Sequence, residues 1–162
     1  MQKIKRKDYP EFSEWLWRDY FGKEIDLTGF INNHPDTTTF FVGTDSRVFG
    51  KRIVYTSVIV AYRQGKGGAI VFHRAKVESK DGIRRRLLME AMRSIECAWF
   101  LDSVIKDTSD VMIHLDVNSN LKYESSSYLN ELVGLVVSQG FSVRHKPDAW
   151  AATQAAHSKV KN

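Results

Sequence analysis

The sequence lacks several features that would place it in a compartment or a membrane. Cys97 is the one cysteine among 162 residues, so no internal disulfide can form and nothing indicates an oxidising compartment. No window of about 18 apolar residues is present to span a bilayer. The basic start at residues 1–7 is followed by an amphipathic stretch, and not by the apolar core of a signal peptide. We therefore expect a cytoplasmic protein that does not enter a membrane.

Several catalytic signatures are also missing. The five histidines show no metalloprotease spacing. The glycine-rich run at residues 65–68 lacks the serine or threonine and the helix that complete a phosphate-binding loop, so we interpret it as a hairpin turn. The serines at residues 125–127 lack the context of a nucleophile elbow and indicate a helix start.

What is present is the composition of one globular domain. Hydrophobic residues make up 43%, charged residues 27% and aromatic residues 12% of the chain, unlike the composition of disordered proteins. A chain of 162 residues can form one well-packed core and is too short for two domains that each have a sizeable core. The charge of 24 minus 19, or +5, and a pI near 9.3 make it mildly attractive to phosphate polyanions.

The first 36 residues predict a short helical extension ahead of a domain at residues 37–162. In residues 9–21, apolar and aromatic side chains recur at spacings near 3.6, which predicts an amphipathic helix ending at Gly22. Residues 24–36 predict a second short helix or turn, stopped by Pro35.

The domain itself begins with three predicted strands, at residues 38–43, 53–62 and 69–78. Their short, glycine-bearing links predict an antiparallel meander. From Asp81 onward, helix and strand periods alternate. The predicted elements are helix 81–105, strand 111–117, helix 125–139, strand 141–145 and helix 149–159. We therefore expect an α/β fold with a mixed five-stranded sheet, three antiparallel strands followed by parallel ones, flanked by helices.

Acidic residues follow the ends of neighbouring strands in this scheme. Asp45 follows the first strand, Asp116 closes the fourth, and Asp148 starts the last helix. Singly, each could bond local backbone amides or cap a helix. A right-handed crossover, however, sets the first and fourth strands parallel and their carboxyl ends side by side. Carboxylates held so close repel unless a cation or a shared proton separates them, and Mg²⁺ or Mn²⁺ is the simplest occupant.

Four motifs carry a resemblance to a known family: Val-Gly-Thr-Asp-Ser at 42–46, Leu-Asp-Val-Asn at 115–118, Glu-Ser-Ser-Ser at 124–127 and Lys-Pro-Asp-Ala-Trp-Ala-Ala at 146–152. With the element order, they resemble the YkuK-type family of uncharacterised ribonuclease H-like proteins, from about Thr38 to the C-terminus. The resemblance implies a ribonuclease H-like fold and metal-dependent nuclease activity. By position it implies a catalytic set of Asp45, Glu90, Asp116 and Asp148, with Glu78 and Glu96 as competitors of Glu90.

Three further residues are candidates for binding a nucleic-acid substrate. Lys146 stands beside Asp148, where it could pair with the acids or contact phosphate, and Ser46 follows Asp45. Arg84 belongs to an arginine run at residues 84–86 that could hold phosphates or form a solvated face.

The leading hypothesis is phosphodiester hydrolysis of RNA or DNA. The alternative is a non-catalytic module that uses the same cleft to bind nucleic acid or a protein. A third interpretation, an ATPase of the sugar-kinase or actin type, requires two such halves and fits one short domain poorly.

Overall fold

A computed structural model describes residues 11–106, 108–118, 120 and 122–146. The predicted helix at residues 149–159 lies outside these ranges. The elements in chain order are a 3₁₀ turn Phe12–Glu14, β1 Trp17–Asp19, β2 Glu24–Ile25, α1 Leu27–Asn32, β3 Thr39–Phe49, β4 Arg52–Arg63, β5 Gly67–Glu78, α2 Ile83–Val104, β6 Asp110–Asn118, a 3₁₀ helix Glu124–Tyr128, α3 Leu129–Ser138 and β7 Ser142–Lys146.

One mixed sheet organises the described chain, with the strand order β2-β1-β5-β4-β3-β6-β7. The predicted antiparallel meander is confirmed in β3, β4 and β5, and β6 and β7 are parallel to β3 as expected. The glycine-rich run forms the predicted hairpin turn between β4 and β5, where Gly65 and Gly67 adopt positive φ angles of 77° and 81°. The predicted number of five strands is wrong, because the sheet has seven.

The two extra strands come from the segment predicted to be helical. Over the described part of residues 9–21, the structure has a 3₁₀ turn and β1, so the predicted amphipathic helix is wrong there. β1 pairs with the exposed edge of β5, which offers unpaired backbone groups to a neighbouring strand. Burial then alternates along the chain: Trp15 and Trp17 are buried, whereas Leu16 and Arg18 are exposed.

The predicted helix or turn before Pro35 is confirmed as α1, whose first turn is capped by the Asp26 carboxylate accepting from Gly29 N–H. The division into an extension at residues 1–36 and a domain at residues 37–162 stays a prediction.

The main core lies between the sheet and α2, with α3 beside it. The 3.6-residue period of α2 places one apolar row against the strands, which confirms the predicted long helix. The fully buried apolar side chains of α2 are Ala91, Ile95, Cys97, Ala98 and Leu101. The helix predicted over residues 125–139 begins as a 3₁₀ helix and becomes α-helical at Leu129.

The face of the sheet away from α2, called the outer face below, carries a smaller apolar cluster of Phe41, Val58, Val60 and Phe72. No helix in the described ranges is long and apolar enough to cross a membrane.

Candidate metal centre

Asp45 lies inside β3, and not after the end of the strand as the sequence predicts. β3 runs on to Phe49 because it stays paired with β4, where Asp45 is opposite Thr56. The parallel ladder between β3 and β6 ends earlier, at Gly43 and His114. Beyond that point, within the described part of the chain, no strand pairs with this edge of β3, and the candidate site lies along it.

Side chains reach this edge from both faces of the sheet. Thr44 and Ser46 contact α2, so the alternation of β3 points Asp45 to the outer face. Glu90 projects from α2 on the opposite side. Among the described residues, no strand other than β4 pairs with β3 at Asp45, and the carboxylates of Asp45 and Glu90 come together there.

Asp45, Glu90 and Asp116 each offer one carboxylate oxygen to a cluster in which these atoms lie within 4.8 Å of one another. Asp45 and Glu90 are both only 8% exposed, while Asp116 is half-buried. The structure thus brings together three of the four predicted acids. Glu78 and Glu96, the competitors of Glu90, are not members of this cluster.

Asp148, the fourth predicted acid, lies outside the described residues.

Ser46 is placed between two of the acids. Its backbone N–H lies 2.9 Å from Asp45 Oδ1, and its hydroxyl donates a bond of 3.3 Å to Glu90 Oε2. The predicted substrate-binding role of Ser46 stays a prediction, but its position shows that it orients two carboxylates.

A buried hydroxyl chain fixes α2 against the strands. Ser94 Oγ donates to Thr44 Oγ1 at 2.9 Å, and Thr44 Oγ1 lies 2.9 Å from Ser57 Oγ. Ser94 follows Glu90 by one helical turn, so the chain sets where Glu90 meets β3. This network was not predicted from the sequence, although a serine within the apolar face of α2 is a signal for it.

The pKa of Glu90 is raised well above its ordinary value. Burial is the largest cause, and the neighbouring carboxylates of Asp45 and Asp116 add to it. Arg86 and the Ser46 hydroxyl oppose the rise. Burial and the two neighbouring negative charges destabilise the ionised form of Glu90. A cation bound between the carboxylates would offset this destabilisation.

Lys146 forms an ion pair with Asp116, through its Nζ and Asp116 Oδ1. Burial lowers the pKa of Lys146, but the hydrogen bond to Asp116 and the charges of the three acids outweigh it, so the pKa is raised. The sequence left two roles open for Lys146, pairing with the acids or contacting a phosphate, and the structure shows the pairing with Asp116.

The cleft over the cluster has a volume of about 200 Å³. Besides the three acids and Ser46, its lining includes Arg86 of the arginine run and Ser125, which was expected only as part of a helix start. Arg84, the arginine selected as a candidate for substrate binding, forms an ion pair with Glu131 of α3 and does not line this cleft. Its substrate-binding role stays a prediction.

Arg93, three residues after Glu90 on α2, is buried and not exposed to solvent. Arg93 is 2% exposed, and its guanidinium lies 4.3 Å from the ring centroid of Trp15 and 5.6 Å from that of Tyr55. Through its contact with Arg93, Trp15 packs the segment before β1 against α2, about one helical turn from Glu90.

The donor set suits a hard divalent cation. Carboxylate oxygens are the preferred ligands of such ions, and three carboxylates exceed the single positive charge of Lys146. The cluster could therefore hold a divalent metal ion.

Comparison with known families agrees with this geometry. The family model described as ribonuclease H-like matches residues 25–161. This chain belongs to the ribonuclease H-like family. It is also similar to the uncharacterised protein YkuK of Bacillus subtilis (strain 168), with 24% identity over 151 residues, covering 83% of this chain and 87% of the relative. No solved structure matches the chain. The resemblance expected from the motifs is thereby confirmed, and the acidic cluster lies within the matched range.

Proposed function

We propose that this protein is a divalent-metal-dependent nuclease of the ribonuclease H-like class that hydrolyses phosphodiester bonds. The observation that carries the proposal is the convergence of Asp45, Glu90 and Asp116 from β3, α2 and β6, with ligand atoms within 4.8 Å of one another. These acids lie far apart in the sequence, so their meeting is a property of the fold. Membership of the family supports the same reaction class.

In this proposal Asp45 and Asp116 hold Mg²⁺ or Mn²⁺, and Glu90 completes the set. When bound, such an ion lowers the pKa of its water and stabilises charge on phosphoryl and leaving oxygens. Asp148 is proposed as a further acid from the family pattern alone.

The chain's own residues supply order and charge at this site. Ser46 donates a hydrogen bond to Glu90 through its hydroxyl and contacts Asp45 through its backbone N–H. These contacts hold the two proposed metal ligands in a fixed relative orientation. Lys146 places a positive charge next to Asp116, where it compensates the excess of carboxylates and can contact a substrate phosphate. Arg86 adds a second positive charge in the lining of the cleft.

One observation favours the alternative, a non-catalytic module that binds nucleic acid or a protein. Lys146 already neutralises part of the acidic cluster through its ion pair with Asp116. Because the charge of Lys146 offsets one carboxylate, the remaining negative charge attracts a metal ion less strongly. This alternative predicts salt-dependent binding without turnover and no effect of Mg²⁺ or Mn²⁺ on the melting temperature.

The decisive experiment incubates the protein with labelled RNA, DNA and RNA–DNA hybrid in Mg²⁺ or Mn²⁺. We expect cleavage that disappears in Asp45→Asn and Asp116→Asn. Asp102→Asn is the matched control, because Asp102 is an exposed carboxylate near the C-terminal end of α2 and outside the cluster. Intact substrates with the native protein, or equal cleavage by all variants, would reject the proposal.

A further inference from the structure

The β3–β4 hairpin extends past the acidic cluster and carries a group of basic side chains. Residues paired across neighbouring strands share a face of the sheet, and so do residues two apart on one strand. Asp45 is opposite Thr56, which is opposite Arg74. The next row on the same face is Arg47, Val54 and Lys76, and the last is Phe49, Arg52 and Glu78. We call Arg47, Arg52, Arg74 and Lys76 the basic face.

The basic face is accessible and carries net positive charge. Arg47, Arg52 and Lys76 are exposed and Arg74 is half-buried. Glu78 is the one acid in the two rows beyond Asp45, and no ion pair within the described part of the chain neutralises any of the four basic residues. The charge is therefore available to a ligand.

An aromatic side chain lies among these charges. Phe49 is 48% exposed, and the Arg47 guanidinium lies 5.9 Å from its ring centroid. A basic surface with an exposed aromatic ring offers a phosphate backbone charge and a base a stacking partner.

The basic face begins at the acidic cluster. Arg47 follows Asp45 by two residues, which is about 7 Å along a strand, on the same outer face. The distance from Asp45 to the end of β3 at Phe49 is about 13 Å. At about 3.4 Å per nucleotide, this length corresponds to roughly four nucleotides of a helical strand.

We propose that the basic face binds the sugar-phosphate backbone of a nucleic acid. The bound stretch lies on one side of the phosphodiester bond that is cleaved at Asp45. The choice of a nucleic acid rests on the proposed function, whereas the binding itself needs no metal. The face continues the direction of β3, so it holds the substrate strand for about four nucleotides past the cluster and sets the direction in which that strand crosses the site.

The test measures binding of fluorescent 20-mer single-stranded DNA, duplex DNA and RNA in EDTA, over a range of salt concentrations. The test variant is Arg47→Glu with Lys76→Glu. The control is Lys23→Glu with Lys66→Glu, two exposed lysines outside the basic face. Each pair of substitutions removes four units of charge, from +5 to +1, so the two variants differ only in where the charge is lost.

We expect the test variant to bind at least about tenfold more weakly at 0.1 M salt, and the slope of log K against log salt to fall by about two. The control should lose far less affinity. Equal losses in the two variants, or no binding of any of the three polymers by the native protein, would overturn the proposal. Melting temperatures of both variants are measured first, and Arg47→Gln with Lys76→Gln replaces a test variant that does not fold.

The result is separable from the proposed chemistry. Asp45→Asn removes a proposed metal ligand and leaves the basic face intact, so it should retain binding in EDTA even where it abolishes cleavage. Loss of cleavage with retained binding in Asp45→Asn would support the nuclease proposal. Equal binding by the test and control variants would overturn the basic-face proposal and leave the nuclease proposal unaffected.

Discussion

The hydroxyl of Ser46 donates a 3.3 Å hydrogen bond to Glu90 Oε2 and so joins β3 to α2 across 44 positions of sequence. Ser46 also contacts Asp45 Oδ1 through its backbone N–H. One small residue therefore orients two of the three clustered acids.

Ser46→Ala should weaken metal binding while the fold persists. The hydroxyl that holds Glu90 is lost, and partners of this kind typically contribute 10–100-fold to metal affinity or activity, so we expect a loss of roughly tenfold in Mn²⁺ affinity by titration calorimetry. Ser103→Ala, at an exposed serine of α2, is the control. Unchanged affinity in Ser46→Ala would show that Glu90 needs no such support.

Glu90→Gln should stabilise the metal-free protein, increasingly so as the pH rises. The pKa of Glu90 in the folded protein is raised above 4.5, so the folded state holds this proton more tightly than the unfolded state does. The resulting stabilisation is complete below pH 4.5 and is lost as the pH rises through the raised pKa. Glutamine avoids this loss, and we expect a gain of about 1 kcal/mol at pH 8, or roughly 2–4 °C in melting temperature.

The same variant should respond less to metal. Melting curves from pH 4 to pH 9, with EDTA or with Mn²⁺, separate the two effects: the native protein should gain stability from Mn²⁺ and Glu90→Gln should gain less. A variant that is less stable than the native protein at pH 8 in EDTA would contradict the assignment of Glu90 as a destabilised buried acid.

Lys146→Met should raise the affinity for a divalent ion, because it removes the cation that pairs with Asp116. The side chain is 44% exposed, so solvent screens the pair, and we expect a modest gain of roughly threefold to tenfold. Lys146→Arg keeps the charge and should bind metal as the native protein does. Weaker metal binding in Lys146→Met would show that the lysine supports the metal-bound state.

Trp15→Ala should cost roughly 3–5 kcal/mol of stability, the usual range for removing a large aromatic side chain from a core. Trp15 is 6% exposed, contacts the Arg93 guanidinium, and stacks on His73 with ring centroids 4.6 Å apart. Urea unfolding measures the loss. Leu16→Ala is the control, because Leu16 is 44% exposed and should change stability by less than about 1 kcal/mol. Equal effects would contradict the placement of this segment on the core.

Patterns within short stretches of sequence predicted much of the fold correctly. The meander of β3, β4 and β5 and the long helix α2 followed from periodicity and from glycine-bearing links, and the parallel pairing of β6 followed from the right-handed crossover. The aromatic segment around Trp15 was misjudged because its spacing fits a helix nearly as well as a strand. The exposed edge of β5 decided between them, and that edge exists only after the meander has formed.

The sequence by itself determined which acids were available, since it places Asp45 and Asp116 in or directly after two strands that are predicted to be parallel. The family resemblance implied Glu90 by its position on the long helix and left Glu78 and Glu96 as competitors, and the structure decided for Glu90. Only the tertiary structure decided that the three carboxylates meet, that Lys146 pairs with Asp116, and that Arg74 and Lys76 of β5 share a face with Asp45. Contacts of this kind depend on strand register and on where the β3–β6 ladder ends, and these are set by packing across the whole sheet.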